Sequence, residues 1–516
     1  MTQDTTQPDV ESSAMVKGCG GGVPWRKSLY ALATGLVLAA PMAPAQARTL
    51  GEVEFESCVL TTAGLPRPTE AQCATLTVPE NPAEPGGRNI ELALAWIPVE
   101  GEAEPDPVFM IAGGPGQSAR DSYPMIAHAF GDIRRSRHVL LLDQRGTGGS
   151  NPLFCPEEDD EEAMLGLESL TPERMRELAE GCRDMLQETA DLRFYTTTEA
   201  VFDLEFVRQA IGAPAVNLVG VSYGTRVAQQ YAKAYPQNVR SMILDGVVPP
   251  ELVLGAEHAA NLQDTLDTHF ARCRATPACV EALGDPAVRL PAVAERLRAG
   301  GIGKLRYRDP TTGEWREETP TYDHLAAVLR MYAYSPLSAS VLPLIVHQAD
   351  EGDYTSLLAL TRMLMRSFSG QMAAGMHNSV ICTEDADELE VIAEDEDTVM
   401  GDMLIEVVQA QCEVWPRGTR PDDFRAPLTG DLPVLLVSGE YDPVTPPRYG
   451  DQVEARLDNA RHLVLPGQGH SLMTAGCMPA LAAQFIEDAD ANGLDASCLD
   501  RLAAPPPFSG LYGWEP

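Results

Sequence analysis

The run Asn217-Leu218-Val219-Gly220-Val221-Ser222-Tyr223-Gly224 starts apolar and closes as Gly-x-Ser-x-Gly. Residues 216–219 predict a short buried strand, and residues 226–234 are compatible with a helix. Between the two, Gly220 and Gly224 let the backbone turn tightly enough to leave Ser222 exposed at the tip, as in a nucleophile elbow. Serine and glycine are common, so the five-residue pattern alone equally fits a plain glycine-rich turn. The strand before it and the helix after it make Ser222 a candidate nucleophile.

Outward from the elbow, short apolar runs alternate with helical patterns. Upstream, residues 107–112 end in Gly113-Gly114-Pro115-Gly116-Gln117-Ser118, and residues 138–142 end in Asp143-Gln144-Arg145-Gly146-Thr147-Gly148. Thr171 with Pro172 and Glu173 opens a helix that carries Cys182. Val201, Leu204, Val207 and Ile211 mark a further helix, with Gly212 as its stop. Downstream, residues 241–245 form another strand-like run. This alternation predicts a mostly parallel sheet with helices on both faces. Residues 48–110 are richer in strands, with 75–79 and the alternating 90–96 on either side of a turn over 81–88. Over 251–420 helix-like segments replace the alternation, apart from the region 304–318, which predicts an inserted helical cap. The α/β pattern returns with residues 434–439 and 462–465. The expected organisation is a signal peptide (1–47), an α/β core (48–250), a mainly helical cap (251–420) and the rest of the core (421–516).

Attack by a serine hydroxyl needs a base to take its proton and a carboxylate to orient that base. In an α/β-hydrolase these follow in the order Ser, Asp, His, each at the end of a strand. Asp442 follows the strand at 434–438, and His470 follows the strand at 462–465, 28 residues later, which leaves room for one crossover helix. Singly, Asp442 before Pro443 reads as a turn initiator and His470 as a structural histidine. With Ser222 in this order at strand ends, they read as a triad. Glu440 ranks second as the acid; His462 begins its strand and makes a poor base; His377, in the cap, would at most touch substrate. An oxyanion would be held by the backbone N–H of Tyr223 and by one from the loop after 107–112, Gly114 being the best placed. Asp143 and Arg145 read as a structural pair bracing the loops. No metal or organic cofactor is expected.

Composition bounds the partners and the compartment. With 44% hydrophobic and 22% charged residues the chain is ordinary for a globular enzyme, but 75 acidic against 38 basic side chains give a net charge of −37. That argues against nucleic acid and anionic membrane surfaces as partners. Lys17, Arg26 and Lys27, the apolar run 29–40, the breakers Pro41 and Pro44, and Ala45-Gln46-Ala47 read as a cleavable export signal, with the mature chain starting at Arg48. Met15 is an alternative start. The acidic run 157–162 reads as a solvated loop. Setting Cys19 aside with the signal leaves ten of 11 cysteines, in the local couples 58/73, 155/182, 273/279, 382/412 and 477/498. Ten cysteines allow many connectivities, of which nearest-neighbour pairing is one. Without CxxC or histidine spacings, disulfides in a periplasmic or extracellular setting are favoured over metal ligation.

Gly113-Gly114-Pro115-Gly116, Asp143-Gln144-Arg145-Gly146-Thr147-Gly148, Gly220-Val221-Ser222-Tyr223-Gly224, Asp442-Pro443-Val444-Thr445-Pro446 and Gly469-His470 resemble the proline iminopeptidase and tripeptidyl aminopeptidase family of α/β-hydrolases. The similarity covers most of 50–500 and is weakest in the cap. Proline iminopeptidases usually carry histidine before the Gly-Gly-Pro-Gly; here Ala112 stands there, which moves the chain away from that branch, while the signal peptide, the cysteine couples and the C-terminal segment favour the secreted tripeptidyl branch. The resemblance implies a serine exopeptidase that removes short units, such as tripeptides, from peptides with a free N-terminus. It also implies a cap carboxylate that binds the substrate ammonium, for which Glu384 is the candidate, with Asp385 beside it. A solvated acidic run over 384–388 is the competing reading. A proline-type single-residue aminopeptidase, a carboxylesterase and a non-catalytic binding protein on the same scaffold are the rival functions.

Overall fold

The computed structural model describes residues 47–62, 68–155, 171–368 and 370–514. The expected export signal, up to residue 46, and the acidic run at 157–162 lie outside the described residues. Ten strands form one sheet in the order β1-β2-β3-β4-β6-β5-β7-β8-β11-β12. They are β1 (Arg48–Leu50), β2 (Val53–Leu60), β3 (Thr69–Pro79), β4 (Asn89–Ile97), β5 (Val108–Ile111), β6 (Val139–Leu142), β7 (Val216–Val221), β8 (Val239–Asp245), β11 (Val434–Gly439) and β12 (Ala460–Leu465). Pairing is antiparallel from β1 to the β4–β6 contact. Beyond it, all strands from β6 to β12 run parallel. This is the α/β-hydrolase fold expected from the sequence, with an antiparallel N-terminal edge.

Side-chain alternation explains why the central strands read as unbroken apolar runs. Leu218, Met242, Leu244 and Leu436 pack into one apolar cluster, whereas their neighbours Val219, Ile243, Leu435 and Val437 pack into the other. A strand covered on both faces has no solvent side on which to place polar residues. Helices Thr197–Ala210 and Tyr223–Ala234 cover the first face; Ala119–Ile126 and Met478–Asp488 cover the second. Helix Thr197–Ala210 starts four residues before the first apolar position noted above, because Thr196 and Glu199 form a capping box there.

Between β8 and β11 the chain is helical except for the hairpin β9 (Leu305–Arg308) with β10 (Trp315–Glu318). Helices His258–Ala275, Pro286–Ala299, Tyr322–Tyr332 and Leu342–Asp350 share an apolar cluster of their own, which includes Leu266, Val293, Leu329 and Ile345. Five disulfides close the couples Cys58–Cys73, Cys155–Cys182, Cys273–Cys279, Cys382–Cys412 and Cys477–Cys498. Among the described residues no helix is long and apolar enough to cross a membrane.

Candidate active site

Parallel strands leave their carboxyl ends on one edge of the sheet, and loops there come from residues far apart in sequence. Ser222 follows β7 and its backbone takes φ 55°, ψ −124°, a strained conformation for a residue with a Cβ. The strain is held by its surroundings. The Ser222 N–H donates to the Asp245 carbonyl at 2.8 Å. A Cβ on Gly224 would lie 2.7 Å from the Ala112 carbonyl oxygen and still nearer that of Ile111, so only glycine lets the elbow helix seat against β5. The loop after β5 abuts the candidate nucleophile, since a Cβ on Gly113 would lie 3.0 Å from that of Ser222. Among the described residues, the amides of Gly114 and Tyr223 have no hydrogen-bond acceptor. Two such unoccupied donors beside the nucleophile are what an oxyanion requires.

Asp442 and His470 meet across their loops, with His470 Nδ1 2.7 Å from Asp442 Oδ2. The carboxylate is buried and further fixed by the amides of Val444 and Thr445, both 2.9 Å from Oδ1, and by Thr445 Oγ1, which donates to Oδ2 at 2.8 Å. Burial alone would raise the Asp442 pKa; His470 and these donors outweigh it and hold the group below the ordinary value. Burial likewise opposes the charged form of His470, but Asp442 and then Asp245 raise its pKa above 6.5. Asp442 thereby fixes the tautomer with the proton on Nδ1, which leaves Nε2 free to act as a base. Glu440, the rival acid, is exposed and accepts from the Gly467 amide at 2.6 Å instead. His462 is held between Asp451 and Ser438, and His377 Nδ1 donates to the Pro115 carbonyl at 3.3 Å.

Three structural features were not foreseen from the sequence. Asp245, at the end of β8, is buried and accepts the Leu472 and Met473 amides at 2.7 and 3.0 Å, which anchors the loop carrying His470. The Tyr334 carbonyl accepts from the His470 amide at 2.8 Å, and its ring packs edge-on against the imidazole. Asp143 and Arg145 do not pair with each other. Asp143 binds Ser118 Oγ and the amides of Arg120 and Gly149, whereas Arg145 grips both oxygens of Asp203 at 2.7 Å each. Only the Ser222 motif and the strand-end rule were local enough to be read; these partners come from other elements.

Glu384 is fully buried, at 0% exposure. Its Oε1 accepts from the Thr197 amide at 2.7 Å, its Oε2 accepts from Thr197 Oγ1 at 2.9 Å, and Arg226 Nη1 lies 3.6 Å away. Thr197 Oγ1 in turn meets the Tyr223 hydroxyl at 2.7 Å. Asp385 is also buried and pairs with Arg226 and Arg425, while only Asp387 and Glu388 of the acidic run are exposed. Burial raises the Glu384 carboxyl to about 7, against the pull of Arg226. Its oxygens are thus committed to the underside of the elbow, and the reading of 384–388 as one solvated run does not hold for its first two members.

The α/β-hydrolase fold family model matches residues 106–282, and the TAP-like protein model matches residues 397–498. The first match spans the glycine-rich loop and the elbow; the second spans Asp442 and His470. The fold is that of an α/β-hydrolase, and the C-terminal part of the chain is similar to TAP-like proteins. Among curated relatives, serine protease Hip1 of Mycobacterium tuberculosis is 24% identical over 469 residues, 82% of this chain and 86% of that protein. Carboxylesterase B of the same organism is 26% identical over 463 residues, 81% of this chain and 84% of that one. Tripeptidyl aminopeptidase of Streptomyces lividans is 31% identical over 225 residues, 41% of each chain. The matched segments contain the strand ends that carry Ser222, Asp442 and His470.

Proposed function

We propose that the protein is an exported serine exopeptidase that releases short peptides, tripeptides foremost, from free peptide N-termini. The carrying observation is the Asp442–His470 pair at 2.7 Å, at the same sheet edge as the strained Ser222 elbow of a TAP-like chain. Ser222 Oγ attacks the scissile carbonyl while His470 Nε2 takes its proton and Asp442 holds Nδ1–H. The oxyanion is received by the Gly114 and Tyr223 amides. His470 then protonates the leaving amine, and a water activated by the same nitrogen hydrolyses the acyl-enzyme. Substrate would enter under the helical cap over 251–420. The five disulfides and the N-terminal signal pattern support export.

A substrate ammonium bound at Glu384 would have to displace its Thr197 bonds. We therefore give Glu384 a positioning part first, holding Tyr223 through Thr197, and the ammonium-ligand part only if the cap opens a path to it. The second reading is a carboxylesterase, because the relative of that name aligns along 81% of the chain, and the same site chemistry serves esters.

The deciding assay compares a free-amine tripeptide anilide, its N-acetylated form, a single-residue anilide and a small ester, with Ser222→Ala as control. Cleavage of the free tripeptide alone, absent in the variant, is expected. Equal cleavage of the acetylated form would remove the free-amine requirement, and activity on the ester alone would move the protein to the carboxylesterases. A fluorophosphonate probe should label the wild type and not Ser222→Ala; an unlabelled wild type would remove the serine mechanism.

A further inference from the structure

The glycine-rich loop after β5 is held by two different parts of the molecule. Its ends belong to the sheet: the Ala112 carbonyl accepts from Gln144 Nε2 at 3.4 Å, and Ser118 Oγ donates to Asp143 at 2.7 Å. Between them Gly114 is exposed, with no acceptor for its amide among the described residues, whereas Pro115 and Gly116 are buried. This tip is gripped by helix Ala374–Glu384 and the residues just before it. The Ala373 amide donates to the Gly116 carbonyl at 3.0 Å, and Gln117 forms an antiparallel bridge with Met372. The side chain in this contact is His377, whose Nδ1 lies 3.3 Å from the Pro115 carbonyl oxygen. A carbonyl can only accept, so Nδ1 carries the proton and donates it. Burial keeps the imidazole below its ordinary pKa, so at pH 7 the ring is neutral and this bond uses its single N–H.

The same helix reaches the second candidate oxyanion donor from its other end. Glu384 accepts from the Thr197 amide and hydroxyl at 2.7 and 2.9 Å, and Thr197 Oγ1 meets the Tyr223 hydroxyl at 2.7 Å. Eleven helical residues make a rod about 16 Å long. Every residue of it from Asn378 to Glu384 is buried, Cys382 is bonded to Cys412, and Ser379 Oγ accepts from Trp415 Nε1 at 3.0 Å. A rod so enclosed keeps its two ends at a fixed separation. One helix therefore bears on both the loop that carries the Gly114 amide and the residue that carries the Tyr223 amide.

We propose that His377 is a positioning residue of the oxyanion hole: by holding the Pro115 carbonyl from helix Ala374–Glu384, it fixes the Gly114 amide at the distance from the Tyr223 amide that one oxyanion needs. The inference rests on the reading of those two amides as the oxyanion donors. A buried carbonyl needs a donor, and His377 supplies it to Pro115. His377 thus acts through the loop and not on the substrate, the contact that its sequence position suggested. Two donors stabilise one oxygen only when both are placed before the charge develops.

Two substitutions test this. His377→Leu removes the donor, and His377→Asn replaces it, because the Asn side-chain amide can stand where Nδ1–H stood. Both are compared with the wild type on whichever of the four substrates named above is cleaved. They are also titrated with a small trifluoromethyl ketone, to which Ser222 adds to give a tetrahedral oxyanion. A donor removed outright costs about 10²–10³ in kcat, and a donor displaced costs less. In His377→Leu, kcat should therefore fall about tenfold with KM little changed, and the ketone should bind more weakly by a similar factor. His377→Asn should recover most of both. Unchanged kcat and ketone affinity in His377→Leu, a rise in KM in place of the fall in kcat, or an asparagine variant no better than the leucine one would each overturn the proposal. Fluorophosphonate labelling separates the two possible failures. A labelled wild type with an indifferent His377→Leu removes the role of His377 alone; an unlabelled wild type removes the oxyanion reading and this proposal with it.

Discussion

Asp245 carries a burden out of proportion to its place in the sequence, where it is one residue at the end of a strand. It ties the His470 loop to β8 through two amides, and its carbonyl receives the Ser222 amide. Burial raises its own carboxyl to about 6, so above that pH it places a negative charge near His470. In the proposed mechanism His470 must be neutral to accept the serine proton, and its pKa is raised above 6.5, so the acidic limb of kcat/KM should lie above pH 6.5. Asp245→Asn removes one of the charges that raise it. The limb should then move to lower pH, while the looser histidine loop lowers kcat by roughly tenfold. A pH–rate profile of the two proteins reads both effects. A limb that stays in place would mean that Asp245 acts on the loop alone.

At the scale of elements, the elbow is a close approach of one helix to one strand. Gly224 sits where any side chain would strike the carbonyls of Ile111 and Ala112, backbone atoms that cannot swing aside. Gly224→Ala must therefore push the helix Tyr223–Ala234 off β5, at a cost of about 1–3 kcal/mol. Urea unfolding should show a lower midpoint with an unchanged slope, and the displaced Tyr223 amide should reduce kcat more than it changes KM. Full stability in the variant would show that the helix has slack to retreat. The buried set Glu384, Asp385, Arg226 and Thr197 belongs to this scale too, since it locks the end of helix Ala374–Glu384 beneath the elbow helix.

For the molecule as a whole, a net charge of −37 means self-repulsion that the fold must withstand. Many of the basic side chains that offset it are spent in local pairs, such as Arg137 with Asp106 and Arg289 with Asp350. Screening should then stabilise the protein: raising salt from low levels to about 0.5 M shortens the Debye length to a few ångströms and should raise the melting temperature. A melting temperature that falls with salt would mean that local ion pairs outweigh the global repulsion. The scan should be made under non-reducing conditions, because the five disulfides hold couples from the first strands to the last helix.

Sequence by itself determined the features whose physics is local or periodic. Apolar runs between glycine-rich turns revealed the parallel strands, the Gly-x-Ser-x-Gly turn revealed the elbow, and two later strand ends pointed to Asp442 and His470. The cysteine couples were legible because each closes over a short stretch of chain, at most 30 residues. Tertiary structure alone decided what approaches from a distance: Asp245 behind the histidine loop, Tyr334 against the imidazole, Asp203 as the partner of Arg145, and the burial of Glu384 under the elbow. An acidic residue in a polar run looks the same whether it faces water or a buried arginine. Only packing removes the water, and the removal of water sets both its partners and its charge.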